Sequence, residues 1–66
     1  MIESETYIDY WKYRRPTLYK RLVSQGILEI TARAEAGTAN ARVRELVATG
    51  LNEIEAQEVV LADLCP

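Results

Sequence analysis

Residues 28–49 read LEITARAEAGTANARVRELVAT, and this stretch decides the fold. Leu28, Ala32, Ala36, Ala39, Val43 and Leu46 recur at intervals of four, four, three, four and three, the repeat that places side chains on one face of an α-helix. The phase carries through Gly37. A helix that broke there and restarted with Thr38 as N-cap would keep this register only by coincidence. One glycine inside a helix costs only about 1 kcal/mol relative to alanine, which burial elsewhere can offset. The spacing therefore predicts a single helix over 28–49.

Such a helix is about 33 Å long, whereas a compact globule of this chain's length is about 28 Å across, so the helix is expected to outrun its own protomer. Its row of small side chains offers little apolar area but lets another backbone come close. Ala32, Ala36, Ala39 and Val43 are therefore the candidate seam for a second copy. Ile30, Ala34 and Ala41 make a second, narrower apolar stripe, the pattern of a helix lying between neighbours.

On either side of this helix stand Gly26 and Gly50, each placed to end a helix in the left-handed conformation. Around them Leu22-Val23-Ser24-Gln25-Gly26-Ile27-Leu28-Glu29-Ile30-Thr31-Ala32 aligns with Leu46-Val47-Ala48-Thr49-Gly50-Leu51-Asn52-Glu53-Ile54-Glu55-Ala56. Leucine, valine, glycine, glutamate, isoleucine and alanine coincide. Two helix–glycine–helix corners that converged on one chemistry and a duplicated helical hairpin both account for this, and both predict a tight corner at each glycine.

Further out, Ser4 as N-cap with Glu5 behind it starts a helix over 4–14, and Pro16 at a first turn starts another over 16–25. Arg15, before the proline, is pushed out of helical geometry. Tyr7, Ile8 and Trp11 share a face of the first helix, with Tyr10 and Tyr13 to one side. Leu18, Leu22 and Val23 supply the buried face of the second. The last helix, over 52–64, opens with Asn52 as N-cap and Glu55 three residues on. Ile54, Val60, Leu61 and Leu64 lie toward its core, and Glu53, Glu55, Glu58 and Asp63 on its solvated side. Ile27 to Thr31 is the one short run that favours a strand. The fold class expected is all-α: a single domain of four helices with a long third one, completed by dimerisation.

Composition narrows the function. A chain of 66 residues buries only about 60% of the surface that its unfolded form exposes, so a supplement to its core is expected. A single cysteine, Cys65, forms no internal disulfide. Without histidine, and with carboxylates spread along the chain, no metal site or cofactor is expected. Association with a second copy is the remaining supplement. The opening Met-Ile-Glu-Ser-Glu has neither the basic start nor the apolar run of a secretory leader, and no apolar run spans a bilayer, so a cytoplasmic protein without membrane partners is expected.

Catalysis finds little to use. The chain has no histidine base and no glycine-rich loop for phosphate, and Glu53 with Glu55 lacks an apolar wall to raise a pKa. No catalytic residues are assigned. The working surface expected is the basic-aromatic stretch of residues 10–21, where no acid lies between Tyr10 and Leu28. Its contact residues are Tyr10, Tyr13, Arg14, Arg15, Tyr19, Lys20 and Arg21. Tyrosine, tryptophan and arginine most often carry energy at protein interfaces, so a protein partner with an acidic or mixed surface is expected. The alternative is a dimeric DNA-binding regulator, with Pro16 to Arg21 opening a recognition helix. A net charge of −2 weighs against nucleic acid.

Overall fold

Proline and glycine set the helix boundaries in the computed structural model, which describes residues 1–62. Among the described residues the chain is all-helical: α1 Ser4–Arg14, α2 Pro16–Ser24, α3 Leu28–Ala48 and α4 Glu53–Ala62, with no strand. The run from Ile27 to Thr31, which favours a strand by composition, enters α3 instead. Asp63, Leu64 and Cys65 lie outside the described residues. The chain divides into two compact units. One is Glu3–Ala36; the other joins Met1–Ile2 to the residues from Gly37 onward.

In the first unit α1 starts one residue off the expected cap. Glu3, in extended backbone, takes the N-cap position without a side-chain bond, and its carbonyl accepts the Thr6 N–H at 3.1 Å. Arg15 alone separates α1 from α2, with φ −134° and ψ 65°, outside the helical region that the following proline disfavours. Its N–H donates to the Trp11 carbonyl and its own carbonyl accepts from Tyr19, both at 2.9 Å, so the break strands neither group. α1 lies against α2. Tyr7, Trp11, Leu22, Ala32 and Ala36 are the buried side chains of this unit, and the rings of Tyr7 and Trp11 meet at 5.9 Å between centroids, tilted by 56°. Ile8 and Leu18 are half-buried. Val23, expected in the core, is 50% exposed: next to Leu22 in the helix, it is turned about 100° from the buried face.

Both glycine corners close in the same way. Gly26 has φ +70° and Gly50 φ +115°, the left-handed side that only glycine occupies cheaply. At the first corner the Ile27 N–H reaches back to the Leu22 carbonyl at 3.1 Å and the Gly26 N–H to Val23 at 3.0 Å. At the second, Leu51 N–H reaches Leu46 at 3.3 Å and Gly50 N–H reaches Val47 at 3.1 Å. These are the paired bonds of the Schellman motif. Ser24 and Thr49 each add a hydroxyl bond to a carbonyl three residues back, Arg21 and Leu46 respectively. Gly37, by contrast, lies within α3 and is absent from the positive-φ residues.

In the second unit the buried side chains are Ile2, Ala39, Val43, Ala56 and Val60. Ile2 is held by a two-way clamp: its N–H donates to Asn40 Oδ1 at 2.8 Å and its carbonyl accepts from Asn40 Nδ2 at 2.9 Å. Asn52 caps α4 as expected, accepting the Glu55 N–H at 2.8 Å, while its own amide donates to the Glu55 carboxylate. Ile54, expected in the core, is 71% exposed. The buried face of α4 is set by Ala56 and Val60, four apart, and Ile54 stands about 200° from Ala56. Ile30 of the second α3 stripe is likewise 69% exposed, and Ala34 is exposed with it.

The three glycines should respond to alanine in opposite senses. A Cβ at any of them meets nothing within 4 Å, so the backbone alone decides. Gly26→Ala and Gly50→Ala should each destabilise by about 1–2 kcal/mol in urea or thermal unfolding, and Gly37→Ala should stabilise by up to about 1 kcal/mol. A destabilising Gly37→Ala would mean that α3 bends there. Asn40→Ala removes both bonds to Ile2 and should cost about 1–3 kcal/mol, read by the same unfolding curves.

Candidate functional site

The basic-aromatic residues lie on the last turns of α1, the Arg15 corner and α2, all inside the first unit. Tyr10, Tyr13 and Arg14 follow each other at three and four residues and so share one face of α1. Tyr13 is 76% exposed, while Tyr10 and Tyr19 are half-buried. Lys12, Arg14, Arg15, Lys20 and Arg21 are all exposed. The Lys12 ammonium sits over the Tyr13 ring, 5.9 Å from its centroid, an exposed cation–π contact worth about 0.5–1 kcal/mol.

Two origins of this basic charge must be separated. Lys12 and Arg14 occupy the last turn of α1 and Arg21 the last turn of α2, where a cation offsets the negative end of the helix macrodipole. That role accounts for part of the cluster. Arg15 and Lys20 have no such role. Among the described residues no ion pair engages Arg14, Arg15, Lys20 or Arg21; elsewhere, ion pairs join Glu29 to Arg33 at 3.9 Å and the N-terminal amine to Glu53 at 3.7 Å. Both pairs are exposed, and pairs of that kind stabilise by under about 1 kcal/mol.

Beneath this surface Tyr7 is buried beside Trp11, and its hydroxyl is the described group with a displaced pKa. Burial, reinforced by the charge of Glu35, raises it above the ordinary 10.0. The hydroxyl is a structural group in a core, protonated across the physiological range. No three histidine, cysteine, aspartate or glutamate side chains converge on a possible metal position among the described residues. No helix among them is long and apolar enough to cross a membrane.

Ala32, Ala36, Ala39 and Val43, the seam expected for a second copy, are all buried within the single chain, Ala32 completely. A second copy reaches them only if the chain's own atoms uncover them. The apolar surface that is open lies elsewhere. Beside each glycine corner is an open depression, lined at the first by Val23, Gly26, Leu28, Glu29 and Ile30 and at the second by Val43, Arg44, Val47 and Glu53. Val23 and Glu29 are the counterparts of Val47 and Glu53 in the internal alignment. That alignment was the signal for these exposed residues; reading Val23 and Ile54 as core concealed it.

No protein family, curated protein or solved structure matches this chain. Its function is argued from its own residues.

The Tyr7 hydroxyl gives a pH prediction. Because the folded pKa lies above the unfolded one, its contribution is intact below about pH 10 and is lost as pH rises through the folded value, since the unfolded chain releases that proton first. Tyr7→Phe removes this term. In denaturant titrations from about pH 8 to about pH 11, wild type should therefore lose stability relative to Tyr7→Phe above about pH 10. A constant difference across the range would show that the hydroxyl titrates as in water.

Proposed function

We propose that this chain is a small non-catalytic interaction or regulatory module of the cytoplasm, working as a homodimer and binding a protein partner through residues 10–21. The observation that carries the reading is a set of exposed cations, Arg14, Arg15, Lys20 and Arg21, free of ion pairs among the described residues and flanked by the exposed ring of Tyr13. Cations with no internal partner cost nothing to redirect toward an acidic surface, and their field steers the encounter. Tyr13, with Tyr10 on the same helix face, supplies rigid contact area.

The non-catalytic part of the proposal rests on the chemistry available. The chain carries no histidine. Its Glu53–Glu55 pair serves a terminal ion pair and a helix cap. The dimeric part rests on the large apolar side chains left in water, Ile30 and Ile54 above all, on a chain whose length gives a marginal core.

Arg14→Glu with Arg15→Glu tests the surface. The double variant should keep its helical circular dichroism and lose about tenfold or more of the binding to proteins that wild type captures from its own cell lysate. Undiminished capture by a folded variant would falsify the assignment. Duplex DNA in a low-salt mobility shift separates the other reading. No shift is expected at micromolar protein, whereas a shift that fades with salt at a log–log slope of about −0.9 per phosphate would transfer the same residues to nucleic acid.

A further inference from the structure

We propose that self-association joins the first glycine corner of one copy to the second glycine corner of another, an apolar contact between a basic surface and an acidic one. The proposal rests on the dimeric part of the reading above and names the surface that serves it.

The corners match in shape. Both have a positive-φ glycine, at +70° and +115°, and the same pair of Schellman bonds, with α3 beginning one aligned position earlier than α4. Burial after the corners is equivalent: Ala32 and Ala56 are both fully buried, and Ala36 and Val60 are both buried. Equivalent exposure follows. Ile30 and Ile54 stand 69% and 71% exposed, and Val23 and Val47 stand 50% and 42% exposed. Each corner thus presents a valine from before the glycine and an isoleucine from after it; Val23 and Ile30 line the first depression and Val47 lines the second.

The corners differ in charge, and in one direction. Over residues 20–34 the first carries Lys20, Arg21 and Arg33 against Glu29. Over the equivalent residues 44–58 the second carries Arg44 against Glu45, Glu53, Glu55 and Glu58. Arg21 is replaced by Glu45, Thr31 by Glu55, Arg33 by Gln57 and Ala34 by Glu58, every one a shift toward negative. One position further, Glu35 aligns with Val59, a single shift the other way that leaves the first corner the more basic of the two. Like corners meeting would oppose like charge; unlike corners meeting bring opposite charge around two apolar centres. Made once, this contact leaves one corner of each kind open; made twice about a two-fold axis, first to second and second to first, it closes a dimer.

Complementation tests this. Ile30→Asp spoils the first corner and Ile54→Asp the second; both positions are mostly in water, so both variants should keep the wild-type circular dichroism, and the wild-type unfolding midpoint at dilutions where wild type is a single chain. In sedimentation equilibrium, wild-type mass should rise with concentration, and each variant alone should associate about tenfold or more weakly. An equal mixture of the two should associate again, because each contributes the corner that the other lacks. Association of either variant at wild-type strength, or a mixture no stronger than its components, overturns the corner assignment and leaves the dimer standing. Wild type that stays a single chain at every concentration overturns the dimer with it. Lys20 and Arg21 belong to both surfaces, so the residue 10–21 surface is read by charge reversal of Arg14 and Arg15, which lie outside the corner.

Discussion

The left-handed glycine corner is the constraint from which most of this structure follows. At Gly26 and Gly50 the backbone turns back on the helix it has just left and satisfies carbonyls that have no partner within the helix. A residue with a Cβ could make these bonds only in strained backbone. Once the turn is fixed, so is the phase of the helix that follows. The phase decides that Ala32 and Ala56 go inward and that Ile30 and Ile54 go outward. Hydrophobicity alone would have chosen the reverse, since isoleucine gains far more from burial than alanine. Local backbone geometry outranks side-chain preference here because a corner has one conformation, whereas an exposed isoleucine costs only the burial it forgoes.

That ranking explains what could be read from the sequence and what could not. The four helices were legible because Pro16, Gly26, Gly50 and Asn52 are chemical punctuation with one structural use each. The buried positions of α1 and α3 followed from spacing: Tyr7 with Trp11, and Ala32, Ala36, Ala39 with Val43. In α4 the expected Val60 is buried, but Ala56 and not Ile54 shares its face, and Ile54 stands in water. The identity of the two corners held the correction, since Ile30 and Ile54 occupy one position and must share one environment. The Ile2–Asn40 clamp was not legible at all. Asn40 sits within an alanine-rich helix, and nothing in local spacing says that its amide meets a backbone 38 residues away. Long-range hydrogen bonds leave no periodic trace.

The candidate surface was legible as composition and not as geometry. The sequence brings cations and aromatic residues together between residues 10 and 21, and the fold grades them. Tyr13 stands largely in water with Lys12 over its ring, while Tyr10 and Tyr19 are half-covered, so Tyr13 is the most accessible of the three. Lys12, Arg14 and Arg21 answer a helix end; Arg15 and Lys20 answer nothing inside the described chain. A residue with an internal role can serve a partner as well, but only one without such a role requires an external explanation. The balance of the surface therefore rests on the Arg15 corner.

Repetition with altered charge has a physical consequence of its own. Two identical apolar corners on one chain would recognise each other in every combination, first with first, second with second and first with second. Nothing would select among these pairings, and association would be unregulated. Placing cations around one corner and carboxylates around the other penalises the two like pairings and favours the unlike one, at no cost to the apolar contact that all three share. In the self-association proposed, the uneven charge along the chain, with no acid between Tyr10 and Leu28 and no base after Arg44, would serve as a rule for which surfaces meet. Side chains that contribute little to the stability of a single protomer are the ones able to carry that rule, because they are free to change sign without disturbing either corner.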